Sequence, residues 1–309
     1  MNDRASRGPI RVIFNASAGS KGGIRTNGAT KTDIEAAINQ VGLEAEIVES
    51  ISAGETRRLT AEAVQQGYQA VVAAGGDGTI DFVATEVLHS GTALGVLPHG
   101  SIMNIPRMLG IPRDLAGAAA VLAHGVIRRI DVGEARGRPF FEVGSVGMNA
   151  AMFREAQRFE SGERTSILRT IWAAIRYRPA RMEIALDERV VRTRALAVTV
   201  ANGPYTGAGM TVAPDARVDD GRFDVTVFEH FSKWELIRHL GSIAFGRRRY
   251  VPHVSTYRST FARISSASPL PARADSRDRG TTPVEFRVLR AALPVIVPPD
   301  GPPKGAPPG

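Results

Sequence analysis

Val71-Val72-Ala73-Ala74-Gly75-Gly76-Asp77-Gly78-Thr79 begins as an apolar run and ends with three glycines around one carboxylate. The pattern predicts a buried strand that turns directly into a helix. In such turns the backbone N–H groups converge, the helix N-terminus adds partial positive charge, and glycines let the backbone approach a phosphate closely. Asp77 suits this site if magnesium lies between its carboxylate and the phosphate, or if it orients an attacking hydroxyl. The alternative is a tight turn in which Asp77 caps the helix.

Two further turns of this kind follow other predicted strands. The strand Ile10–Phe14 leads into a Gly- and Ser-rich segment that starts at Asn15, and the strand Ala93–Leu97 leads into Pro98-His99-Gly100-Ser101-Ile102-Met103-Asn104. Since the carboxyl ends of parallel strands meet at one edge of an open sheet, the three turns are expected to converge on one crevice. Neither GxxxxGK[ST] nor GxGxxG occurs, which argues against ordinary P-loop and dinucleotide-binding sites.

The order of predicted elements divides the chain into two domains. Strands and helices alternate over about the first 130 residues, which predicts an α/β fold with a doubly wound parallel sheet. From about Val126 onward, turns separate successive strands, which predicts a mostly antiparallel β domain interrupted by helices at Arg164–Tyr177 and Lys233–Phe245. Residues 299–309 are rich in Pro and Gly and are predicted to be disordered. The later predicted strands are Val126–Glu134, Pro139–Val146, Met182–Leu186, Arg194–Ala201, Phe223–Phe228, Ala262–Ser265, Val284–Val288 and Pro294–Val297.

Composition indicates a globular protein with an anionic partner. The chain has 309 residues, 43% of them hydrophobic and 23% charged, and no apolar run long enough to predict a transmembrane helix. The absence of cysteine excludes disulfides and thiolate chemistry and makes the cytoplasm the expected compartment. A net charge of +8 suggests a nucleotide, a nucleic acid or an anionic membrane. Genomic composition is the alternative explanation, because nearly all the basic residues are arginine. No nucleic-acid recognition module is visible, so nucleic acid is not an expected partner.

The ordered motifs resemble the diacylglycerol kinase catalytic-domain family, which includes bacterial lipid kinases and sphingosine kinases. These motifs are FNASAG, GGDGT, LPHGSIMN with RMLGIP, IDVGEA, VGSVG and APDARVDDGRFDV, and they cover nearly the whole chain. GGDGT alone is less specific, since NAD kinases also carry it.

The resemblance implies a nucleotide-binding domain over residues 1–127, to which 291–298 return, and a β-sandwich lipid-substrate domain over 128–290, with ATP and lipid meeting in the cleft between them. It also implies ATP and Mg²⁺ as cofactors, with Asp77 organising the magnesium. The residues that it assigns to the nucleotide site are Asn15, Gly75, Gly76, Gly78, Thr79, Gly100, Ser101 and Asn104.

Two acidic segments of the second domain follow from the same resemblance. Asp215, Asp219 and Asp220 lie in a loop that holds a structural magnesium in bacterial relatives, and the alternative is a solvated acidic turn. The late D-G-E motif of the family is matched by Asp275-Ser276-Arg277, so Asp275 is a candidate base although Arg277 replaces the glutamate. The alternative for Asp275 is a solvated loop of alternating Asp and Arg. Other departures are Ala16 and Ala18 in the first turn, and Ile105 and Pro106 after Asn104.

Two basic amphipathic segments suggest peripheral binding to an anionic membrane. Arg164–Arg181 and Lys233–Tyr250 each combine an apolar stripe, a tryptophan and several arginines, which suits a headgroup region. The alternative is that they are ordinary helices packed on the β domain. The expected location is therefore cytoplasmic, at the inner face of the membrane. The sequence leaves open whether the protein forms a homodimer.

The function that the sequence favours is an ATP- and Mg²⁺-dependent lipid kinase acting on the hydroxyl of diacylglycerol or a related lipid. One alternative is a kinase of a soluble substrate, as NAD kinase is. The other is a non-catalytic nucleotide- or lipid-binding relative in which Arg277 marks a lost activity.

Overall fold

Alternating strands and helices form the first part of the chain, as predicted. The computed structural model describes residues 8–15, 20–21, 24–25, 29–100, 102–151, 177–207, 209–229 and 254–303. The strands of this part are β1 (Ile10–Asn15), β2 (Ser20–Lys21), β3 (Ile24–Arg25), β4 (Glu46–Ser50), β5 (Ala70–Gly75) and β6 (Ala93–Pro98). The helices are α1 (Lys31–Gln40), α2 (Ala53–Gln65), α3 (Asp77–Val87), α4 (Asn104–Met108) and α5 (Leu115–His124).

A parallel sheet lies at the centre of this part. Its strands run in the order β4, β1, β5, β6, and the end of a later strand, β19 (Val284–Val297), lies parallel to β6. Every residue of β5 and β6 is buried, as expected for parallel strands covered on both faces. The prediction of a parallel α/β sheet is confirmed.

Local capping signals explain where three of the helices start. Thr30 forms a capping box with Asp33 at α1, Ser52 accepts the N–H of Glu55 at α2, and Asp114 accepts the N–H of Gly117 at α5. Helix α5 was not among the predicted helices. Its sequence, LAGAAAVLAH, is almost entirely apolar and small, so it lacks the alternation of polar and apolar faces that identifies a surface helix.

Antiparallel pairing dominates the second part, as predicted. Successive neighbours in the sheet are β18, β17, β9, β11, β10, β16 and β19, while β14 pairs with β11 and with β15. The strands are β7 (Val126–Ala135), β8 (Arg138–Phe140), β9 (Val143–Gly147), β10 (Ala180–Leu186), β11 (Val190–Ala201), β12 (Tyr205–Thr206), β13 (Met210–Thr211), β14 (Phe223–Glu229), β15 (Val254–Ser259), β16 (Phe261–Ser266), β17 (Pro271–Ala274) and β18 (Arg277–Thr281).

Contacts between residues divide the chain into two units. The first runs to Val132 and takes back the chain from Arg290, and the second extends from Gly133 to Leu289. Strands β7 and β19 therefore carry the chain out of the first unit and back into it.

Three phenylalanine rings occupy the core of the second unit. Phe140 stacks on Phe223 with ring centroids 5.7 Å apart and meets Phe286 edge to face at 5.9 Å. Two glycines make room for these rings: a Cβ at Gly133 would lie 2.2 Å from the ring of Phe140, and one at Gly144 would lie 2.4 Å from that of Phe286.

The structure corrects the bounds of three predicted strands. Pro139–Val146 was predicted as one strand, but β8 ends at Phe140 and β9 begins at Val143. The N–H groups of Phe141, Glu142 and Val143 bond to the Asp275 carboxylate, and these bonds interrupt the ladder. Conversely, Val284–Val288 and Pro294–Val297 are parts of one strand, β19.

Several predictions lie wholly or largely outside the described residues. These are the helix Lys233–Phe245, the helix Arg164–Tyr177 except for its last residue, and the tail after residue 303. Residues 299–303 are described and include a turn closed by the Gly301 N–H and the Pro298 carbonyl. Among the helices of the described ranges, none combines the length and the apolar character needed to cross a bilayer.

Replacement of Gly144 by alanine should destabilise the second unit. The added methyl would overlap the buried ring of Phe286, and overpacking of this kind costs about 1–3 kcal/mol. Urea denaturation of Gly144→Ala measures this cost. The matched control is Gly91→Ala, where a Cβ meets nothing within 4 Å. Equal stability of the two variants would show that the core relaxes around the methyl.

Candidate functional site

The strand order places a topological switch point between β1 and β5. From β1 the chain passes to β4 on one side, and it then returns to β5 on the other side. In open α/β sheets the crevice at the carboxyl ends of such strands is the usual ligand site. Asn15 ends β1 and Gly75 ends β5, so two of the predicted turns begin at the switch point.

The GGDGT turn leaves the start of α3 without a side-chain cap. Gly76 is the N-cap residue and makes no capping bond, in contrast to Thr30, Ser52 and Asp114 at α1, α2 and α5. The first N–H groups of a helix have no partner within it. Gly78 is exposed, and a Cβ there would meet nothing within 4 Å. The turn therefore presents backbone donors beside open space.

Gly75 permits the turn to close tightly on α3. A Cβ on Gly75 would lie 2.5 Å from the Thr79 hydroxyl oxygen, which is closer than non-bonded atoms approach. The position therefore accepts glycine alone while Thr79 keeps its place, nearly buried, in the first turn of the helix.

The Asp77 carboxylate joins this turn to the start of α4. Its Oδ2 accepts the N–H of Asn104 and its Oδ1 accepts the N–H of Ile105, both at 3.1 Å. Asp77 thus caps α4, a different helix from the one that it begins, so the alternative that it caps its own helix is wrong. Burial raises the pKa of Asp77, while the N–H groups of α4 oppose this shift.

The third turn packs directly on the second. The His99 N–H donates to the Gly75 carbonyl at 3.1 Å, and a Cβ on Gly100 would lie 3.1 Å from the Gly76 Cα. Asn104 is buried where this turn enters α4. Ser101, which was assigned to the nucleotide site, is outside the described residues.

The first turn is joined to the second through a side-chain bond. Asn15 Nδ2 donates to the Thr79 hydroxyl at 3.0 Å. Residues 16–19, which continue this turn, are outside the part of the chain that the structure describes. The structure thus brings together Asn15, the GGDGT turn and the segment from His99 to Ile105, as predicted for three converging turns.

Sequence reasoning missed the end of β4. Ser50 pairs with Asn15 in register, so the residues after Ser50 lie at the same edge of the sheet as the GGDGT turn. Ile51 follows with 79% of its surface exposed, which is unusual for isoleucine. The available signal was the Ser-Ile-Ser-Ala-Gly run directly after a predicted strand.

His99 is a packing residue in this arrangement. It is buried, its ring lies 5.5 Å from that of Phe14, and neither ring nitrogen makes a hydrogen bond of normal geometry within the described ranges. Burial lowers the pKa of His99, and an interaction with the Ala74 carbonyl opposes this only in part. A neutral, buried imidazole suits packing better than proton transfer.

The predicted metal ligands of the second unit pair with arginines. Asp219 accepts two bonds from Arg217, at 3.0 and 3.2 Å, and Asp220 bonds to Arg258. Across the described ranges, no three His, Asp or Glu side chains are grouped so as to hold a metal ion. Guanidinium groups thus pair with two of the three predicted ligands, Asp219 and Asp220, and the assignment of Asp215, Asp219 and Asp220 to a metal stays a prediction.

Asp224 is an acid near this loop that sequence reasoning missed. It is buried on β14, and burial raises its pKa, with Arg258 opposing and the negative charges of Asp220 and Asp215 adding to the shift. Its position in the Phe-Asp-Val strand start resembled ordinary strand alternation, so the sequence carried no distinct signal.

Asp275 organises backbone in the second unit. Its carboxylate accepts the N–H groups of Phe141 at 2.7 Å, Glu142 at 2.9 Å and Val143 at 3.1 Å. Burial raises its pKa and these three donors oppose the shift. Asp275 lies at the β17–β18 turn with φ of 50°, and Arg277 follows on β18. A carboxylate that holds three N–H groups is suited to positioning, so its role as a base stays a prediction.

Comparisons with known proteins agree with these motifs. Residues 9–135 match the family model of the diacylglycerol kinase catalytic domain, and residues 143–297 match that of the YegS C-terminal NAD kinase beta sandwich-like domain. A diacylglycerol kinase of Bacillus subtilis (strain 168) is 26% identical over 265 residues, covering 84% of this chain and 88% of that protein. A Pseudomonas aeruginosa protein named "Probable lipid kinase YegS-like" is 28% identical over 273 residues, covering 86% and 89%.

Solved structures share the fold. A diacylglycerol kinase from Bacillus anthracis str. Sterne has a TM-score of 0.71 at 17% identity and covers 95% of this chain and 98% of its own. Another crystal structure from the same strain has a TM-score of 0.76 at 20% identity, with 96% and 99% covered.

The contribution of Asp77 to stability should decrease as pH rises. A carboxyl with a raised pKa binds its proton more tightly in the folded protein than in the unfolded chain. The protonated carboxyl therefore stabilises the fold at pH values below the ordinary pKa of 3.8, and this stabilisation is lost as the pH rises through the pKa of the folded protein. The unfolding free energy of the wild type minus that of Asp77→Asn should therefore fall over this interval, measured by urea denaturation at a pH series. A difference that grows with pH would show that the N–H donors outweigh burial.

Proposed function

Since the chain belongs to the diacylglycerol kinase catalytic-domain family, with a YegS-type C-terminal domain, we propose that it is an ATP- and Mg²⁺-dependent kinase of diacylglycerol or a related lipid. The observation that carries this proposal is the uncapped start of α3, where Gly78 adjoins open space and the Asp77 carboxylate lies in the same turn. The names of the relatives support a lipid as the acceptor.

The proposed nucleotide site uses the three joined turns. The N–H groups at the start of α3 would hold phosphate oxygens, because aligned donors and the helix dipole favour anions. The glycines at positions 75, 76, 78 and 100 would keep the backbone accessible, and Thr79 and Asn15 would fix the first turn against the second through their 3.0 Å bond. Ser101 and Asn104 complete the set on the third turn.

Asp77 is the residue that we propose to lie next to the magnesium ion. The N–H groups of Asn104 and Ile105 bond to different oxygens of the carboxylate, and the Met103 N–H also favours its charged form. An ionised carboxylate has about four acceptor positions, so these donors leave acceptor capacity for a cation. These residues therefore fit the metal. When bound, magnesium neutralises negative charge on the transferring phosphate. The task of Asp77 is to hold its carboxylate in place, and its two bonds to α4 do this.

We assign Asp275 a positioning role within this proposal. By holding residues 141–143 it fixes the start of β9 in the second unit, which we propose as the lipid-substrate domain. Three backbone donors bind the carboxylate and Arg277 stands where relatives have glutamate, so Asp275 stays the candidate base of this proposal with a positioning role beside it. A diacylglycerol stays in the bilayer, and the proposed site of action is accordingly a membrane surface on the cytoplasmic side.

The proposal is tested by phosphorylation. Purified protein is incubated with labelled ATP, Mg²⁺ and a total lipid extract, and the labelled product is identified by mass. Asp77→Asn should lower turnover by roughly 100-fold or more, as loss of an electrostatic group at a reacting centre does. Asp114→Asn is the matched control, because Asp114 also caps a helix of the first unit but lies outside the three turns.

The outcomes separate the candidate functions. Labelling of a soluble substrate such as NAD in place of lipid would favour the NAD kinase-like alternative. ATP binding without transfer to any acceptor would favour the non-catalytic alternative. Equal losses in Asp77→Asn and Asp114→Asn would mean that capping, not chemistry, explains the effect.

Gly78→Ala should weaken ATP binding without weakening the fold. The methyl meets nothing within 4 Å, and alanine is favoured over glycine in a helix by about 1 kcal/mol, so Tm should stay the same or rise. The same methyl would obstruct close approach of a phosphate and should raise the Kd for ATP by about tenfold, or about 1.4 kcal/mol. Calorimetric titration measures the Kd, with Gly91→Ala as the control. Unchanged affinity would place the nucleotide elsewhere.

A further inference from the structure

The outer face of the sheet in the second unit is rich in arginine. Along β10, Met182, Ile184 and Leu186 face the core, so the alternate residues Arg181 and Glu183 face outward. The cross-strand register carries this side onto β11, β16 and β19. We name this surface the arginine face, and its charged members are Arg181, Glu183, Arg192, Arg194, Arg263, Glu285 and Arg287.

Two glutamates neutralise only part of this face. Glu183 pairs with Arg192 at 2.7 Å, while Glu285 is shared by Arg287 at 3.0 Å and Arg263 at 3.5 Å. The other two arginines, Arg181 and Arg194, form no ion pair with any residue of the described ranges.

Arg181 and Arg194 also lie directly opposite each other. They are Cα partners in the antiparallel register of β10 and β11, and both side chains are exposed. Arg194 donates to the Pro179 carbonyl at 3.4 Å, which leaves its charge uncompensated. Like charges at directly opposed positions destabilise a sheet. Among the described residues no carboxylate pairs with either guanidinium group, so an anion between them would relieve this repulsion.

An open depression adjoins this pair. It has a volume of about 640 Å³, and its polar lining comprises three arginines, one glutamate that pairs with Arg192, one threonine and two serines: Arg181, Glu183, Arg192, Thr193, Arg194, Ser265 and Ser266. Planar guanidinium groups bind phosphate through two hydrogen bonds at once, so the lining suits a phosphate group. Its wide mouth suits a group presented from a surface better than an enclosed small molecule.

We propose that the arginine face docks on a bilayer that contains anionic phospholipid, with Arg181 and Arg194 contacting lipid phosphates. Charge complementarity supports this occupant, since five arginines here oppose only two glutamates. Exposed Val190, opposite Ala185 in the same register, adds an apolar contact at the edge of the face. The choice of a bilayer rests on the proposed function, because the acceptor lipid resides there. The face includes Arg181, the last residue of the amphipathic segment Arg164–Arg181, and of the two predicted amphipathic segments only residues 177–181 are described.

The test compares binding to vesicles of two compositions. Arg181→Gln with Arg194→Gln should bind phosphatidylcholine–phosphatidylglycerol vesicles about 30-fold more weakly than the wild type, since each surface arginine contributes about one fivefold factor to binding. Neither protein should bind pure phosphatidylcholine strongly. The matched control is Arg138→Gln with Arg222→Gln, which removes the same charge from exposed positions of the second unit that are not members of the arginine face. Co-sedimentation without ATP measures binding independently of catalysis.

A Tm measurement and a second pair of substitutions show whether a loss of vesicle binding comes from misfolding. The glutamine pair should have a Tm equal to or above that of the wild type, because the opposed charges are removed. Should it fail to fold, Arg181→Lys with Arg194→Lys decides the question: it keeps the charge and should retain most of the vesicle binding.

Several results would overturn docking at this face. One is equal vesicle binding by the glutamine pair and by the wild type, or equal loss in the control pair. Another is displacement from vesicles by millimolar inorganic phosphate, which would indicate a small-anion site. A third is that the glutamine pair loses binding to a nucleic acid or to an acidic protein but still binds vesicles as the wild type does. Turnover of detergent-dispersed diacylglycerol tests the kinase separately, and the glutamine pair should retain it.

Discussion

The Asp77 carboxylate, held by two backbone N–H groups at the start of α4, is the constraint on which the rest of the first unit's site depends. Helix α4 has only five residues, and its N-cap residue, Met103, offers no capping side chain. Hydrogen bonds to a charged group contribute about 1.5–3 kcal/mol each, which is enough to fix one turn against another. The glycines around Asp77 serve the same end, because a Cβ at Gly75 would overlap Thr79 within the GGDGT turn and one at Gly100 would crowd the Gly76 backbone of the neighbouring turn.

Asp275 does comparable work in the second unit. It too lies in a tight turn, and its carboxylate holds a backbone segment that is distant in sequence. In both cases an acid that a motif marks as catalytic has a demonstrable part in building the backbone around it. The donors to Asp77 come from the start of α4, and those to Asp275 come from the segment that leads into β9. Where the D-G-E motif of the family has a glutamate, this chain has Arg277. The replacement removes a second carboxylate from this turn.

The fold shows where part of the positive charge of the chain is concentrated. Composition alone left open whether +8 reflects function or an arginine-rich genome. The β10–β11 register shows that Arg181 and Arg194 lie directly opposite each other, and no carboxylate of the described ranges pairs with either of them, which is an unfavourable arrangement for like charges. A surplus placed in this way indicates a partner more strongly than the total charge does.

The sequence by itself determined the local elements of this protein and their order. Apolar runs ending in glycine turns predicted the parallel strands, and the carboxyl ends of β1, β5 and β6 had to share one edge once those strands were parallel. It did not identify α5, whose small apolar residues show no periodicity, nor the break between β8 and β9. Only the tertiary structure decided what the acids do, because the partners of Asp77 lie 27 and 28 residues away and those of Asp275 lie 132 to 134 residues away. Hydrogen bonds over such separations depend on strand order and register, which no local pattern encodes.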